Sequence, residues 1–413
     1  MLNKIGILRE EKQPVDKRSP LTPEDCADLI KRYKGLEIYA QPCKDRCFKD
    51  EEFKAAGVKI QENLLDCDLL LGVKEIPIHC LMPSRRYMFF SHTIKRQQHN
   101  LKLLQTILDM NIELIDYEAL ENDKGERVVA FGYWAGVVGA YNAVWMTQKR
   151  LFKKTLPRLY EMDCYDNAKE NLKGLDFGQL KFVITGTGRV ATGAAQVMND
   201  AGIKRVSPHD FLNKTYDEAV YTQLSSQDMF SPKFKHITFS RQEFHEKPLN
   251  FKSNMDAYTQ VADVLINAIY WNPKAPQLFT MKDMKKSSFK IKAIADITCD
   301  IAPEASIPST VKATTIPQPV FGFLPLREKM VDPFTKSAID VMSIPNLPSE
   351  LPKDASKHFS TNLSNIVIPE FFKEESTMLK GARITKNKQL TDEFLYLESY
   401  VYDDVYRASR IKS

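Results

Sequence analysis

Short apolar segments alternate with amphipathic segments along the first third of the chain. Leucines and isoleucines recur at helical spacing from Asn100 to Met110, so this stretch is predicted to be a helix with one apolar face. Apolar runs of strand length surround it, at Lys4–Leu8, Asp68–Val73, Tyr87–Ser91 and Ile112–Ile115. Strands that alternate with helices in this way are typical of an α/β domain built on a parallel sheet.

A second α/β unit is predicted in the middle of the chain. It begins with an apolar strand at Leu180–Thr185, which leads into a glycine-rich turn and a helix. Prolines from Ile316 to Pro352 predict a long ordered loop or crossover, and the C-terminal segment is expected to be helical at Phe371–Leu379 and Leu390–Val401. The polar stretch 208–248 carries no predicted role. Further strands are predicted at Lys204–Ser207, His236–Phe239, Asp263–Ala268, Ile291–Ala295 and Lys312–Thr315.

The segment from Val128 to Gln148 contains no charged residue over 21 positions, which is long enough to span a bilayer. It also contains three glycines, two tyrosines and Asn142, and it is the only run of this kind in the sequence. A glycine turn that leads into a buried helix is therefore predicted, and not a membrane span. Charges at Lys4 and Arg9 without a long apolar region predict that there is no signal peptide, and we expect a cytoplasmic location.

Composition narrows the classes of function. The chain has 58 Lys and Arg against 53 Asp and Glu, and a formal charge of +5 spread over 413 residues does not by itself indicate a nucleic-acid-binding face. Hydrophobic residues make up 43% of the chain, which is typical of a globular protein and excludes a largely disordered or fibrous one. The seven cysteines are scattered, which favours reduced thiols and predicts no metal site.

The glycine-rich turn matches a dinucleotide-binding fingerprint. Gly186-x-Gly188-x-x-Ala191 directly follows a predicted strand and opens a predicted helix. In that setting Gly186 permits the tight turn and Gly188 lets the backbone approach a pyrophosphate, while Ala191 or Gly193 allows close packing. The free N–H groups at the start of the helix would then meet the phosphates. The predicted cofactor-binding residues of this turn are Gly186, Gly188, Arg189, Val190 and Ala191.

The residue that would meet the adenosine ribose is less clear. After the next predicted strand, Asp210 suits a ribose 2′-hydroxyl and therefore NAD. Arg205 or His209 suits a 2′-phosphate instead, and therefore NADP. Both cofactors stay open on this pattern.

Ionisable side chains follow the predicted strands of the first domain. Lys74 and Glu75 follow DLLLGV, His92 follows YMFFS, and Glu118 follows IELID. Ligands of open parallel sheets bind outside the carboxyl ends of the strands, so these side chains are predicted to converge on one rim. A lysine and a histidine there suit proton transfer at an amine or carbonyl group, and nearby carboxylates would tune the pKa of each. Two cations are candidate anchors for substrate carboxylates, Lys95 and Arg127.

The chain resembles known enzymes in segments spread from residue 5 to about residue 401. These segments are REEKxxxxKRSPLTP, LLLGVKEIP, FFSHTIKRQ, LIDYEALENDKGERVVAFGYWAGVVGA, NAIYWNPKAP, IADITCD and NLPSELPKDASKHFS. They resemble the lysine-forming saccharopine dehydrogenases and the lysine–ketoglutarate reductase half of the bifunctional lysine-degrading enzymes. A more remote resemblance is to alanine dehydrogenase and the transhydrogenase N-terminal domain.

The resemblance implies an oxidoreductase that interconverts saccharopine with lysine and 2-oxoglutarate, with NAD as the first choice of cofactor and NADP as the other. It implies that Lys74 is the base at the secondary amine. It also implies that His92 is the acid–base partner that handles the water which hydrolyses the imine. Glu75 and Glu118 match acidic residues that modulate this pair.

The resemblance implies the binding residues as well. Arg18 and Lys95 match groups near substrate carboxylates, and Arg127 matches a basic residue at the site. Asp296 ends a predicted strand near the expected nicotinamide end of the cofactor. The partners would be the small molecules saccharopine, lysine and 2-oxoglutarate, with no nucleic acid and no membrane, and a homo-oligomer is compatible with the sequence.

The family architecture implies two Rossmann-like parallel-sheet domains of the α/β class, separated by an active-site cleft. The substrate domain would comprise residues 1–145 and 345–413, and the dinucleotide-binding domain residues 146–344. Two alternatives stay open, an amino-acid dehydrogenase like alanine dehydrogenase and a nucleotide-binding protein without catalysis. The segments NAIYWNPKAP and LPSELPKDASKHFS favour the saccharopine reaction over the first. The joint presence of Lys74, His92, Arg18 and Glu118 argues against the second.

Overall fold

A computed structural model of the chain describes residues 2–234 and 238–402. The chain divides into two compact units, Met1–Phe131 with Pro352–Ser413, and Gly132–Leu351. These boundaries differ from those predicted at 145/146 and 344/345. The physical reason is a continuous helix from Gly132 to Thr147, which belongs wholly to the second unit.

The first unit begins with alternating short strands and helices. Thr22 caps its first helix by accepting a hydrogen bond from the Asp25 backbone N–H at 3.1 Å, and Pro23 occupies the first helical position. The elements of this segment are β1 Lys4–Ile7, α1 Pro23–Arg32, β2 Glu37–Ala40, α2 Asp50–Ala55, β3 Lys59–Ile60, β4 Leu69–Leu71, β5 Arg86–Phe89, α3 Leu101–Asp109 and β6 Glu113–Asp116.

The second unit contains the glycine-rich turn between its first strand and the helix that follows. Its elements are α4 Gly132–Thr147, α5 Tyr165–Leu172, β7 Lys181–Thr185, α6 Arg189–Asp200, β8 Lys204–Arg205, α7 Pro208–Asn213, β9 Val220–Leu224, α8 Ser226–Met229, β10 Phe230–Pro232, α9 Arg241–Glu246, β11 Phe251–Ser253, α10 Asp256–Thr259, β12 Val264–Asn267, α11 Met281–Met284, β13 Ala293–Asp296, β14 Phe321–Leu324, β15 Lys329–Val331 and β16 Ile339–Met342.

The chain then returns to the first unit and completes its sheet. This last segment contains α12 Pro352–Asn362, α13 Thr377–Ala382, β17 Arg383–Lys386 and β18 Gln389–Leu390. The sheet has the strand order β18-β17-β6-β5-β4-β1-β2-β3 and is parallel except for β17 and β18, which run antiparallel. Residues from both chain segments fill the core of this unit, including Leu70, Ile115, Phe359 and Ile384.

The second sheet has the order β15-β14-β16-β13-β12-β7-β9-β8, parallel from β16 to β8 and antiparallel at β14 and β15. Both units therefore place helices around a mostly parallel sheet, and the predicted α/β class is confirmed. The strands β10 and β11 form a separate antiparallel pair.

Several sequence predictions need correction. The proline-rich stretch contains β14, β15 and β16. The sequence did not predict these strands because each is short and lies between prolines. The C-terminal segment contains β17 and β18 where only helices were predicted, and no strand forms at 312–315. The polar stretch 208–248 holds three short helices and two strands, α7 to α9 with β9 and β10. The predicted strand at 236–239 lies partly outside the described residues, and its described end is not a strand.

Helix α4 is the uncharged segment of the sequence, and it is buried from Gly136 to Thr147. It lies directly against α6, because a Cβ added at Gly136 would come within 1.8 Å of the Val190 carbonyl oxygen, and one at Gly193 within 2.0 Å of the Tyr133 carbonyl oxygen. These glycines therefore let two helix backbones touch behind the glycine-rich turn. In the described part of the chain, no helix is both long and apolar enough to cross a bilayer.

Candidate active site

The ionisable residues singled out in the first unit follow the carboxyl ends of three adjacent parallel strands. Leu71 of β4 lies level with Met88 of β5, and Phe89 of β5 lies level with Asp116 of β6. The segments that carry Lys74, His92 and Glu118 therefore leave the sheet at one edge. We refer to this edge, which carries the residues predicted to be catalytic, as the catalytic rim.

A short chain of contacts on the catalytic rim joins a histidine to a lysine through one carboxylate. His92 donates from Nδ1 to Glu75 Oε1 at 2.6 Å, and Glu75 Oε2 accepts from Lys12 Nζ at 2.7 Å. Burial alone would raise the pKa of Glu75, but the hydrogen bonds and positive charge of His92 and Lys12 outweigh it and hold this pKa at about 2. Glu75 is therefore ionised and fixes His92 with Nε2 as its remaining ring nitrogen. Lys12 was not singled out from the sequence.

Lys74 stands apart from this chain of contacts. Its ammonium makes no hydrogen bond or ion pair with any described residue. Burial lowers the pKa of Lys74, and the nearby Arg18 charge lowers it further, although Glu75 and Asp16 oppose the shift. A lysine in this condition loses its proton more readily than an exposed one, so it suits the role of a base.

The backbone of Lys74 is held by a carboxylate that sequence reasoning assigned no role. Glu10 Oε1 accepts from the Val73 N–H at 2.6 Å, and Glu10 Oε2 accepts from the Lys74 N–H at 3.0 Å. Burial raises the pKa of Glu10 to about 7, with the Asp16 charge adding to the shift. Glu10 lies in the REEK segment, but nothing in that pattern indicates a backbone acceptor, because its partners lie more than 60 positions away.

Arg18 is buried and already paired. Its Nε and Nη2 donate to the two carboxylate oxygens of Asp16 at 2.9 and 2.5 Å, and its guanidinium carbon lies 4.1 Å from the centre of the Phe131 ring. Burial would raise the pKa of Asp16, but the Arg18 guanidinium holds it at about 2. Among the described residues Arg18 Nη1 has no hydrogen-bond partner, so one donor is left for a substrate group.

The buried carboxylate of Asp116 anchors the loop that carries His92. Asp116 is fully buried and accepts from the Ser91 N–H at 3.1 Å, the Ser91 hydroxyl and the Glu118 N–H at 2.7 Å. Burial raises the pKa of Asp116 to about 6. These bonds fix Ser91, which directly precedes His92, and Glu118 in the turn after β6; His92 itself has a left-handed backbone with φ 52°.

Glu118 meets the two cations that the sequence named as carboxylate anchors. Lys95 Nζ lies 3.0 Å from Glu118 Oε1 and Arg127 Nη2 lies 3.7 Å from the same oxygen. Glu118 Oε2 is buried and has no hydrogen-bond partner among the described residues. The Lys95 side chain is half exposed, so both charge and solvent access are available at this point of the rim.

An aromatic cluster underlies the rim. Phe131 and Phe359 stack with centroids 4.5 Å apart, and Tyr117 and Phe90 lie 5.0 and 5.9 Å from Phe359. The His92 ring stacks on Phe90 at 6.2 Å. Phe359 comes from α12, so the support of the rim includes a residue that is distant in sequence and was not predicted.

The glycine-rich turn in the second unit has the geometry of its fingerprint. Gly186 has φ 90°, and a Cβ there would come within 2.9 Å of the Ala268 carbonyl oxygen. A Cβ on Gly188 would meet nothing within 4 Å, so the backbone is open to a ligand at this point. Gly188 is the N-cap of α6 and has no side chain, so it makes no side-chain cap hydrogen bond to the first turn of this helix. The residues present therefore fit a bound pyrophosphate.

The strand next to the glycine-rich turn is not the one that follows α6. β9 pairs with β7 along its whole length, and β8 is an exposed edge strand outside β9. Asp210 lies in α7 beyond that edge strand, where it pairs with Lys214 at 3.0 Å and His209 at 3.4 Å. Arg205 belongs to the edge strand itself. Ribose contacts by these residues stay predictions.

Asp296 ends β13 and is fully buried within a hydrogen-bond network. Its oxygens accept from Asn267 Nδ2 at 2.8 Å, Thr298 Oγ1 at 2.7 Å and Thr310 Oγ1 at 2.6 Å. Asn267 Oδ1 in turn accepts from Thr185 Oγ1 at 2.7 Å. Asp296 thus ties together the carboxyl ends of three parallel strands, and burial raises its pKa. Its predicted place near the nicotinamide stays a prediction.

Comparison with known families finds a match to the N-terminal part of the chain. Residues 6–138 match the family model of the alanine dehydrogenase/PNT N-terminal domain. This segment is therefore similar to an alanine dehydrogenase/PNT N-terminal domain. The catalytic rim described above, from Glu10 to Arg127, lies within it.

Curated relatives extend the likeness beyond the alanine dehydrogenase/PNT N-terminal domain. The chain is 31% identical to the mitochondrial alpha-aminoadipic semialdehyde synthase of Rattus norvegicus over 95% of its own length, but it spans only about half, 47%, of that relative. It is 27% identical to the saccharopine dehydrogenase [NAD(+), L-lysine-forming] of Emericella nidulans, over 94% of this chain and 97% of the relative. The resemblance seen in the sequence segments is confirmed.

Solved structures show the same fold. An L-alanine dehydrogenase matches with a TM-score of 0.62 and 14% identity, over 97% of this chain and 99% of the other. A transhydrogenase from Sinorhizobium meliloti matches with a TM-score of 0.57 and 12% identity, over 94% and 98%. The two Rossmann-like units predicted from the sequence agree with this fold.

Proposed function

We propose that the chain interconverts saccharopine with lysine and 2-oxoglutarate through hydride transfer to or from a nicotinamide cofactor. The observation that carries the proposal is the partly buried Lys74 ammonium, which has no hydrogen-bond or ion-pair partner among the described residues and lies on the same rim as His92 and its Glu75 partner. The relatives named as saccharopine dehydrogenases and alpha-aminoadipic semialdehyde synthases support this choice of substrate.

The second unit would hold the cofactor. The open backbone at Gly188 and the uncapped first turn of α6 would receive the pyrophosphate, with Arg189, Val190 and Ala191 supplying N–H groups. When bound, the nicotinamide supplies the hydride acceptor or donor. NAD is our first choice because the Emericella relative is named for it, and NADP is the other candidate.

Lys74 and His92 would move the protons. Because burial and the Arg18 charge lower its pKa, Lys74 would take the proton from the secondary amine of saccharopine as that amine is oxidised to an imine. His92, held through Nδ1 by Glu75, would use Nε2 to deprotonate the water that adds to the imine carbon. Cleavage of the resulting carbinolamine then releases lysine and 2-oxoglutarate.

The cations of the rim would bind the substrate carboxylates. Saccharopine has three carboxylates, and the Nη1 donor of Arg18 and the charges of Lys95 and Arg127 are available to them. Glu118 would compete for the same two cations, so substrate binding would exchange one carboxylate partner for another. Glu118 thus balances the charges of Lys95 and Arg127 when no substrate is bound.

A direct assay of the absorbance of NADH or NADPH tests the proposal. The purified chain is given lysine, 2-oxoglutarate and either NADH or NADPH, with each substrate omitted in turn. We expect oxidation only when lysine and 2-oxoglutarate are both present. Oxidation with pyruvate and ammonia but not with lysine would contradict the proposal and support an alanine dehydrogenase reaction instead.

A further inference from the structure

A cavity in the first unit lies at the end of the sheet opposite the catalytic rim. Its volume is about 950 Å³, which is within the range of small-molecule sites. Leu2, Asp68, Arg86 and Glu113, which precede or begin β1, β4, β5 and β6, line one side, and residues 370–387 line the other. The amino-terminal ends of the strands form this side, whereas the catalytic rim follows their carboxyl ends.

Two arginines in this cavity share a single carboxylate oxygen. Arg86 Nε lies 3.1 Å from Glu113 Oε1, and Arg383 Nε lies 2.6 Å from the same atom. The terminal nitrogens of both guanidiniums make no hydrogen bond to a described residue. The Arg86 guanidinium also lies over the Phe371 ring at 5.6 Å, which holds it in the wall. The guanidiniums of Arg86 and Arg383 therefore have only the Glu113 carboxylate as an ion-pair partner among the described residues.

A third arginine adds to the shortage of acceptors. Arg85 also lines the cavity, its Nε is buried without a hydrogen-bond partner, and among the described residues it forms no ion pair. Other carboxylates on the wall are already engaged: Asp68 accepts from the N–H groups of Asn3 and Lys4, and Glu370 accepts from Lys373 and Ser376. The exposed edge is balanced, with two acids and two lysines, Glu374, Glu375, Lys380 and Lys386.

We propose that this cavity binds a small molecule through an anionic phosphate or carboxylate group, held by Arg85, Arg86 and Arg383. Three guanidiniums face the Glu113 carboxylate and the Asp68 carboxylate, which has only backbone N–H partners, so one positive charge is left to be matched. Guanidinium forks pair with the oxygens of a phosphate or of carboxylates in two-point hydrogen bonds, which a compact ammonium cannot provide. A phosphate ester and a dicarboxylate share this chemistry, and both would fill the same three forks.

Binding of two simple probes to the full-length chain tests the proposal. Inorganic phosphate and glutarate are titrated separately by calorimetry, without lysine, 2-oxoglutarate or cofactor. Arg85→Gln and Arg383→Gln each remove one guanidinium, and we expect each to weaken binding of the preferred probe by about tenfold or more, since each loses hydrogen bonds to a charged group. Urea unfolding of each variant verifies that it is folded.

Lys102→Gln, at an exposed position of α3, is the matched control, and we expect it to leave binding in the cavity unchanged. Phosphate binding that is lost in the arginine variants identifies a phosphate-type ligand, and glutarate binding lost in the same way identifies a dicarboxylate. The proposal is overturned if neither probe binds, or if binding is unchanged in both arginine variants. Because no turnover is measured, the result is separate from the success or failure of the proposed function.

Discussion

At the scale of single residues, the catalytic rim separates carboxylates with a lowered pKa from carboxylates whose pKa burial raises towards neutral pH. Glu75 and Asp16 each contact a cation, and their pKa values lie at about 2. Glu10 and Asp116 accept hydrogen bonds mainly from backbone and hydroxyl groups, and burial raises their pKa values to about 7 and 6. Glu75 and Asp16 therefore position charged side chains, whereas Glu10 and Asp116 position backbone N–H groups.

Lys74→Met tests the base. The ammonium has no partner among the described residues, so its removal is expected to leave the free energy of unfolding unchanged or higher. Turnover with lysine and 2-oxoglutarate is expected to fall by about 10²–10⁴-fold, which is typical of lost acid–base catalysis. Lys102→Met, at an exposed position of α3, is the control for loss of a lysine. Wild-type turnover in Lys74→Met would exclude Lys74 as the base.

Asp116→Asn tests the raised pKa of the buried Asp116 carboxyl. Its pKa is raised from 3.8 to about 6 in the folded chain, so the stability that it contributes is present below about pH 4 and is lost as the pH rises through about 6. The asparagine does not titrate. Between pH 4 and 7 we therefore expect the free energy of unfolding of the wild type to fall by up to about 3 kcal/mol relative to the variant.

Urea unfolding of both proteins at the two pH values measures this change. The exposed Asp109→Asn, at the end of α3, is the matched control. A difference between wild type and Asp116→Asn that stays constant from pH 4 to 7 would contradict the assigned shift.

At the scale of elements, contact between α4 and α6 sets the position of the glycine-rich turn. Gly136 and Gly193 allow the two backbones to touch, so α6 is braced along its first turns while its N-terminus stays open. Close packing was predicted for Ala191 or Gly193 from the fingerprint. The structure shows that Gly193 meets a helix, α4, that the fingerprint itself does not include.

A pair of glycine substitutions separates packing from ligand binding. Gly193→Ala would force its Cβ into the Tyr133 carbonyl, and we expect it to destabilise the chain by about 3 kcal/mol. Gly188→Ala has free space and a negative φ, so stability should stay close to the wild type. Because its methyl group would occupy the surface open to a pyrophosphate, we expect NADH or NADPH affinity to fall by about tenfold or more.

Urea unfolding and fluorescence titration with both dinucleotides measure the two effects. If Gly188→Ala bound the dinucleotides as the wild type does, the turn would not be the pyrophosphate site. If Gly193→Ala were as stable as the wild type, the α4–α6 contact would not be as close as the structure shows.

At the scale of the whole molecule, the first unit is built from both ends of the chain. β17 pairs with β6, and Phe359, Leu363 and Ile384 belong to the same core as the N-terminal strands. The second unit is continuous from Gly132 to Leu351. The sheet that carries the catalytic rim is therefore incomplete until the C-terminal segment has been added.

Truncation after Leu351 tests this dependence. Loss of α12, β17 and their core side chains is expected to unfold the first unit, while β7 and β12 stay folded in the second. Hydrogen exchange measured segment by segment on the full and truncated chains distinguishes the units. Protection of β5 and β6 that survives truncation would show that the N-terminal segment folds alone.

The sequence predicted those features that depend on neighbouring positions. Alternating apolar runs predicted β1, β4, β5, β6 and β7, and the uncharged segment predicted the buried α4. The strand ends directed attention to Lys74, Glu75, His92 and Glu118, which the structure places at one edge of the sheet. Local patterns carry this information because each strand shows its own periodicity and is followed by its own loop.

By itself, the sequence determined the α/β class, the glycine-rich turn after its strand and the ionisable residues at the rim. Only the tertiary structure decided that Glu10 holds the Lys74 backbone, that Lys12 completes the Glu75 contacts, and that Phe359 supports the site. It also decided that β9 lies beside β7, and that Arg85, Arg86 and Arg383 line one cavity. These contacts join positions far apart in the chain, and no local periodicity records which distant side chain will satisfy a buried polar group or fill a gap in the core.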